Sequence, residues 1–88
     1  MEKGKASRKI RKVLKDLMPA LCKCNAYVDI SLHFDNDKND EFIIVTIGYI
    51  NDNVFTSKNQ FWFSASSSKE VLANKVVEFN ECVELKYL

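Results

Sequence analysis

The chain of 88 residues predicts an α+β fold, a two-layer sandwich of order αβββα in which a three-stranded antiparallel sheet carries two helices on one face. Three observations lead there. Apolar residues recur at steps of three and four at both ends of the chain, they alternate through its middle, and Asn/Asp clusters separate the alternating segments. Each amphipathic helix needs an apolar surface, and three strands joined by short turns offer one on a single side. Apolar residues are 47% of the chain and charged residues 28%, the balance of a folded domain, and this length leaves room for one core. A single domain over residues 1–88 is expected, without linker or internal repeat.

At the N-terminal end, Ile10, Val13, Leu14, Leu17, Met18 and Leu21 form one stripe of a helix starting near Ser7. At about 100° per residue, Lys5, Arg8, Arg11, Lys12 and Lys15 fall on the opposite side. Pro19 lacks an amide proton and crowds the carbonyl four residues back, so the helix should kink or end there, with residues 19–24 as a second short turn. From 26 to 34 the period becomes two. Val28, Ile30, Leu32 and Phe34 alternate with Tyr27, Asp29, Ser31 and His33, which describes a half-buried strand.

Residues 35–40 read as a polar turn. They begin like a calcium loop, but Asp40 stands where Gly is required and Thr46 where the bidentate Glu belongs, so no calcium site is expected. Residues 42–50 are apolar on both alternations and rich in β-branched side chains, as in a central strand covered at least partly on both faces. Gly48 marks a bulge or a close backbone approach. After the turn Asn51-Asp52-Asn53, a third strand lies within 54–65, clearest at 60–65. Ser67 and Glu70 have the spacing of a capping box, which starts the second helix near Ser68. Its core stripe is Leu72, Val76, Phe79 and Val83, widened by Val71 and Cys82, with Glu78, Glu81 and Glu84 outside.

Charge is divided along the chain. The first 24 residues hold eight Lys/Arg and two acids, and the remaining 64 hold five and ten. A basic amphipathic segment joined to an acidic remainder points to a polyanion or an acidic partner, since clustered cations replace the counterions of phosphates. The second candidate surface is the sheet face away from the helices. Tyr27, Asp29, Ser31 and His33 point to it if Val28, Ile30 and Leu32 point to the helices. The central strand adds either Phe42 and Ile44 or Ile43 and Val45, and the third strand adds either Trp62 or Phe61 and Phe63. An uncovered face with aromatics suits protein binding or base stacking. The candidate binding residues are Lys5, Arg8, Arg11, Lys12, Lys15, Tyr27, His33 and Trp62.

Several classes are disfavoured. The longest nearly apolar run, 42–50, is far short of the roughly 20 residues of a membrane span. Lys15 and Asp16 interrupt any secretory signal, and residues 18–24 continue the helical stripe, as in a built-in element and not a presequence. Three cysteines do not pair off, so reduced thiols and a cytoplasmic location are expected. Cys22, Cys24 and Cys82 with His33 make a zinc donor set only on paper, because Cys-x-Cys misses the usual ligand spacing. No metal or other cofactor is expected. With one His, no phosphate loop and no nucleophile motif, neither is an enzyme.

The αβββα order resembles double-stranded RNA-binding domains and the Alu-domain proteins of the signal recognition particle. There, too, a strand runs into a final helix, as Phe61-Trp62-Phe63-Ser64 runs into Ser66-Ser67-Ser68-Lys69-Glu70-Val71. That resemblance implies RNA binding, although Lys69 and Lys75 are separated where the double-stranded RNA-binding pattern clusters its lysines. Small size, one αβββα unit and no catalytic set also look like phage-encoded inhibitors of the anti-CRISPR kind, many of them acidic where this helix is basic. The leading expectation is a non-enzymatic inhibitor or modulator of a nucleic-acid-processing complex. It would bind a protein or nucleoprotein partner through the basic helix and open sheet face, with RNA or DNA met by the helix and no membrane involved. An RNA-binding domain is the alternative, and an immunity- or antitoxin-like protein blocking a basic enzyme is a third. Homodimer formation stays open.

Overall fold

The Ser7 hydroxyl accepts the Ile10 amide at 3.3 Å, and this cap opens helix α1 (Arg8–Lys23). In a computed structural model that describes residues 7–88, α1 is followed by β1 (Tyr27–Asp35), β2 (Asp40–Asn51), β3 (Val54–Ser64) and α2 (Lys69–Lys86). Lys5 lies outside the described residues. The strands form one antiparallel sheet in the order β1-β2-β3, which is the expected αβββα α+β architecture. Of the two outcomes expected at Pro19, a kink or an end, the end does not occur: the helix runs on for another turn to Lys23, so residues 19–24 do not form a separate turn. Pro19 is exposed, a position where water can satisfy the carbonyl that a proline leaves without its amide partner.

The turns follow from their side chains. Asp35 Oδ1 accepts the amides of Asp37 at 3.0 Å and Lys38 at 3.3 Å, folding the β1–β2 connection around an Asx turn. Asp52 and Asn53 have φ of 50° and 65°, the left-handed pair that a two-residue type I′ hairpin needs. Gly48 stands at a register shift in the β2–β3 pairing, and a Cβ there would run into the Thr56 carbonyl. The expected close backbone approach is therefore present. The cap of α2 is Ser68, whose hydroxyl accepts the Val71 amide at 3.2 Å. It is not Ser67; moved one residue on, the cap puts Val71 where a capping box has its Glu, so no reciprocal bond forms.

Antiparallel pairing resolves which alternation faces which way, because directly opposed residues share a face. Ile43, Val45 and Ile47 of β2 and Phe63 of β3 are buried with Ile10, Val13 and Leu17 of α1 and Leu72, Val76, Phe79 and Val83 of α2. Phe61 meets Phe79 edge to face at 5.2 Å. Phe42, Ile44 and Trp62 consequently face the other side. The helices run parallel: Lys9 near the start of α1 reaches the loop before α2, while the Asn25 amide donates to the Tyr87 carbonyl at the end of α2.

One expectation about packing fails in an informative way. Val28, Ile30, Leu32 and Phe34 do stand on the helix side, opposite Ile47, Val45, Ile43 and Glu41, yet Ile30, Leu32 and Phe34 remain 41%, 49% and 46% exposed. The helix pair sits over β2 and β3. A three-residue link holds the end of α1 at the start of β1, where Val28 packs against the core, while Lys9 holds the start of α1 at the loop after β3, so the helix layer diverges from the rest of β1.

Candidate functional site

The first candidate surface is the outer face of α1. With Ile10, Val13, Leu17 and Ala20 turned to the core, helical geometry swings Arg8, Arg11, Lys12 and Lys15 to the solvent side. These four cations border one shallow depression together with Asp16. Lys12 Nζ lies 3.0 Å from Asp16 Oδ2, an exposed i, i+4 pair of the kind that is worth little in water. Asp16, the sole acid of α1, therefore tempers the patch without cancelling it. Lys9 is set apart by position: its Nζ donates to the Ala65 and Ser67 carbonyls at 3.2 and 2.9 Å, so this cation holds the fold and leaves the patch to its neighbours.

The second surface is the open side of the sheet. Cross-strand rows Asp29–Thr46–Gln60, Ser31–Ile44–Trp62 and His33–Phe42–Ser64 lie on it. Three rings from three strands form a stacked ladder: His33 and Phe42 have centroids 5.1 Å apart at 14°, and Phe42 and Trp62 lie 5.4 Å apart at 7°. Trp62 Nε1 donates to Gln60 Oε1 at 2.8 Å, which fixes the indole while leaving it 49% exposed. His33 Nε2 bonds to Ser31 Oγ at 2.9 Å. Tyr27 stands opposite Gly48, which has no side chain, and projects freely. Carboxylates of Asp29, Asp35 and Asp40 lie on this side; Lys58, the extra residue at the β3 register shift, falls outside the three rows, none of which contains Lys or Arg.

Geometry separates what the sequence grouped together. The basic face of α1 points away from the sheet, and the aromatic ladder lies on the sheet side that no helix covers, across a slab whose shortest Cα dimension is 17 Å. A flat partner meets one or the other. Sequence reasoning passed over Glu41, which is buried on the helix side of β2 and accepts the Ser7 amide at 2.7 Å through Oε1. It satisfies a free donor at the positive end of α1 and anchors the basic helix to the sheet. The available signal was its alternation with Ile43 and Val45.

The three thiols are free, Cys22 exposed and Cys24 and Cys82 half-buried. Burial pushes the Cys24 thiol up, its backbone contact at Ala26 opposing this and the neighbouring Cys82 adding to it. Among the described residues, no group of three or more His, Cys, Asp and Glu is placed to hold a metal ion, and no helix is long and apolar enough to cross a membrane. No protein-family model, curated protein or solved structure matches the chain.

Proposed function

We propose that this chain is a non-enzymatic modulator of the anti-CRISPR kind, binding a nucleoprotein complex with two chemically different faces. The observation that carries this reading is the opposed placement of a four-cation helix face and an aromatic ladder whose cross-strand rows hold no Lys or Arg. Arg8, Arg11, Lys12 and Lys15 suit phosphates or an acidic protein surface. The ladder of His33, Phe42 and Trp62, on the same sheet face as Tyr27 and the carboxylates of Asp29, Asp35 and Asp40, suits a protein. Aromatic anchors amid polar neighbours make good interface centres, whereas a base-stacking platform would be expected to carry cations that track the backbone. This difference favours a modulator over an RNA-binding domain that uses the sheet for bases. The chain's one histidine is engaged in stacking and in its bond to Ser31, which fits a surface role better than a general base.

The two faces are tested separately by fluorescence anisotropy with labelled single-stranded and duplex RNA and DNA. Replacing Arg8, Arg11, Lys12 and Lys15 together by Glu should abolish nucleic-acid binding, and Trp62→Ala should leave it intact. Loss of nucleic-acid binding in Trp62→Ala, with retention in the charge-reversed variant, would reverse the assignment and favour base stacking on the sheet.

A further inference from the structure

The uncovered strand β1 has an occupant argued by its own sequence. Its outer edge is unpaired, because β1 ends the sheet. The Ala65 amide donates to the Glu41 carbonyl, which sets the alternation of the β2–β3 ladder and, through it, that of β1–β2. Asp29, Ser31 and His33 then bond inward to β2. Val28, Ile30, Leu32 and Phe34 turn their main-chain N–H and C=O groups outward. Along this edge there is no Lys, Arg or Pro, and the β1–β2 pairing has no bulge. These are the usual devices that keep an exposed edge from pairing. The opposite edge has them: the register shift leaves Lys58 as an extra residue in β3, and Lys75 Nζ occupies the Trp62 carbonyl at 2.8 Å.

We infer that β1 pairs antiparallel with β1 of a second copy about a two-fold axis at Ser31, joining the two sheets into one of six strands. Chemistry on both faces is self-complementary about that residue. On the helix side, Ile30 comes opposite Leu32 and Val28 opposite Phe34, so the apolar row left bare by the helices meets its own copy. On the open side, the Asp29 carboxylate comes opposite the His33 imidazole, twice by symmetry, at a position without ladder bonds where opposed side chains approach most closely. Moving the axis to Leu32 would set Asp29 against Asp35, and moving it to Ile30 would leave Phe34 against Ala26 and Asp29 against Ser31. Of these three centres, only Ser31 sets apolar against apolar and acid against imidazole, with Tyr27 and Asp35 opposed at the strand ends. Edge pairing of this kind is isologous and closes on itself, so it yields a dimer and no fibre. Both α1 helices then lie on one side of the joined sheet and both aromatic ladders on the other.

Sedimentation equilibrium over a micromolar concentration series tests this. The wild-type chain should approach twice its 10.2 kDa mass. Leu32→Lys should run at the single-chain mass with an unchanged far-UV circular dichroism spectrum, because Leu32 is half-exposed in the isolated chain. His33→Asp opposes two carboxylates twice and should weaken association by roughly tenfold. Adding Asp29→His to it should restore most of that loss, which a merely damaged fold would not do. A wild-type chain that stays at single mass throughout overturns the inference. So does a dimer that survives Leu32→Lys, or one that Trp62→Ala dissolves and Leu32→Lys does not, because the sheet face would then be the interface. Failure of the charge swap to restore association rejects the Ser31 axis.

Discussion

Phe63 and Trp62 are adjacent in β3 and point to opposite sides of the sheet, so truncating each in turn measures how the molecule is layered. Phe63 is fully buried between β2 and the helices. Phe63→Ala removes its transfer free energy and leaves a cavity, for a cost of about 3–5 kcal/mol. Trp62 is half-exposed and rests on Phe42. Trp62→Ala forfeits a stacking contact of about 0.5–1.5 kcal/mol and little burial. A domain of this size holds on the order of 5–15 kcal/mol in total, so Phe63→Ala can approach complete unfolding. Phe63→Leu gives a graded version, at about 1–2 kcal/mol with partial refilling of the space. Urea unfolding is followed by far-UV circular dichroism, since Trp62 is the chain's sole Trp and its fluorescence disappears with it. The unfolding midpoint should fall steeply for Phe63→Ala and slightly for Trp62→Ala at unchanged slope. Equal losses would mean that both sheet faces are covered, and the open-face site would be gone.

Glu41→Ala deprives the start of α1 of its anchor at the Ser7 amide and should cost about 1.5–3 kcal/mol in urea unfolding; Glu41→Gln, which keeps an acceptor without the charge, should recover part of it. Asp16→Ala frees Lys12 from its exposed partner and should tighten binding to nucleic acid several-fold, with a stability change under about 0.5 kcal/mol. Burial pushes the Tyr87 hydroxyl up from its ordinary 10.0, with Cys82, Tyr49 and Cys24 adding to the effect, and pushes the Cys24 thiol up from its ordinary 9.0. Both groups hold their protons more tightly folded than unfolded, so this stability is complete below pH 9.0 and is lost as pH climbs through the raised values. Urea midpoints taken from neutral into alkaline buffer should fall accordingly, and Tyr87→Phe should flatten the upper part of the decline.

Element identity was legible in the sequence because each element repeats its own signal. The steps of three and four in Ile10–Leu21 and Leu72–Val83 were unambiguous, as were the alternation in β1 and the Asp/Asn turns. The hidden features arise between elements. Alternation says which way Ile30 and Leu32 point, but whether a helix reaches them depends on how α1 crosses the sheet between its link to β1 and the bonds of Lys9 to the loop after β3. Phe61, Trp62 and Phe63 are all large aromatics, so period two could not choose a face until pairing with β2 chose it. Which face each candidate occupies followed the alternation, with Arg8, Arg11, Lys12 and Lys15 on the outer side of α1 and Tyr27, His33 and Trp62 on the uncovered side of the sheet. Their separation onto opposite sides followed from the layering, once the outward face of α1 and the uncovered face of the sheet were considered together.

Salt dependence of nucleic-acid binding probes the opposed-face account most directly, because it counts the phosphates that the basic helix neutralises. Affinity for labelled duplex and single-stranded probes, measured across a range of monovalent salt, should fall on a log–log line with a slope of roughly −2 to −4, as expected for three to four cations on α1. Binding, and the slope with it, should be lost when Arg8, Arg11, Lys12 and Lys15 are replaced by Glu, and both should persist in Trp62→Ala. Absence of binding at low salt, or a slope unmoved by reversal of those four charges, would contradict the assignment of the helix face to a polyanion.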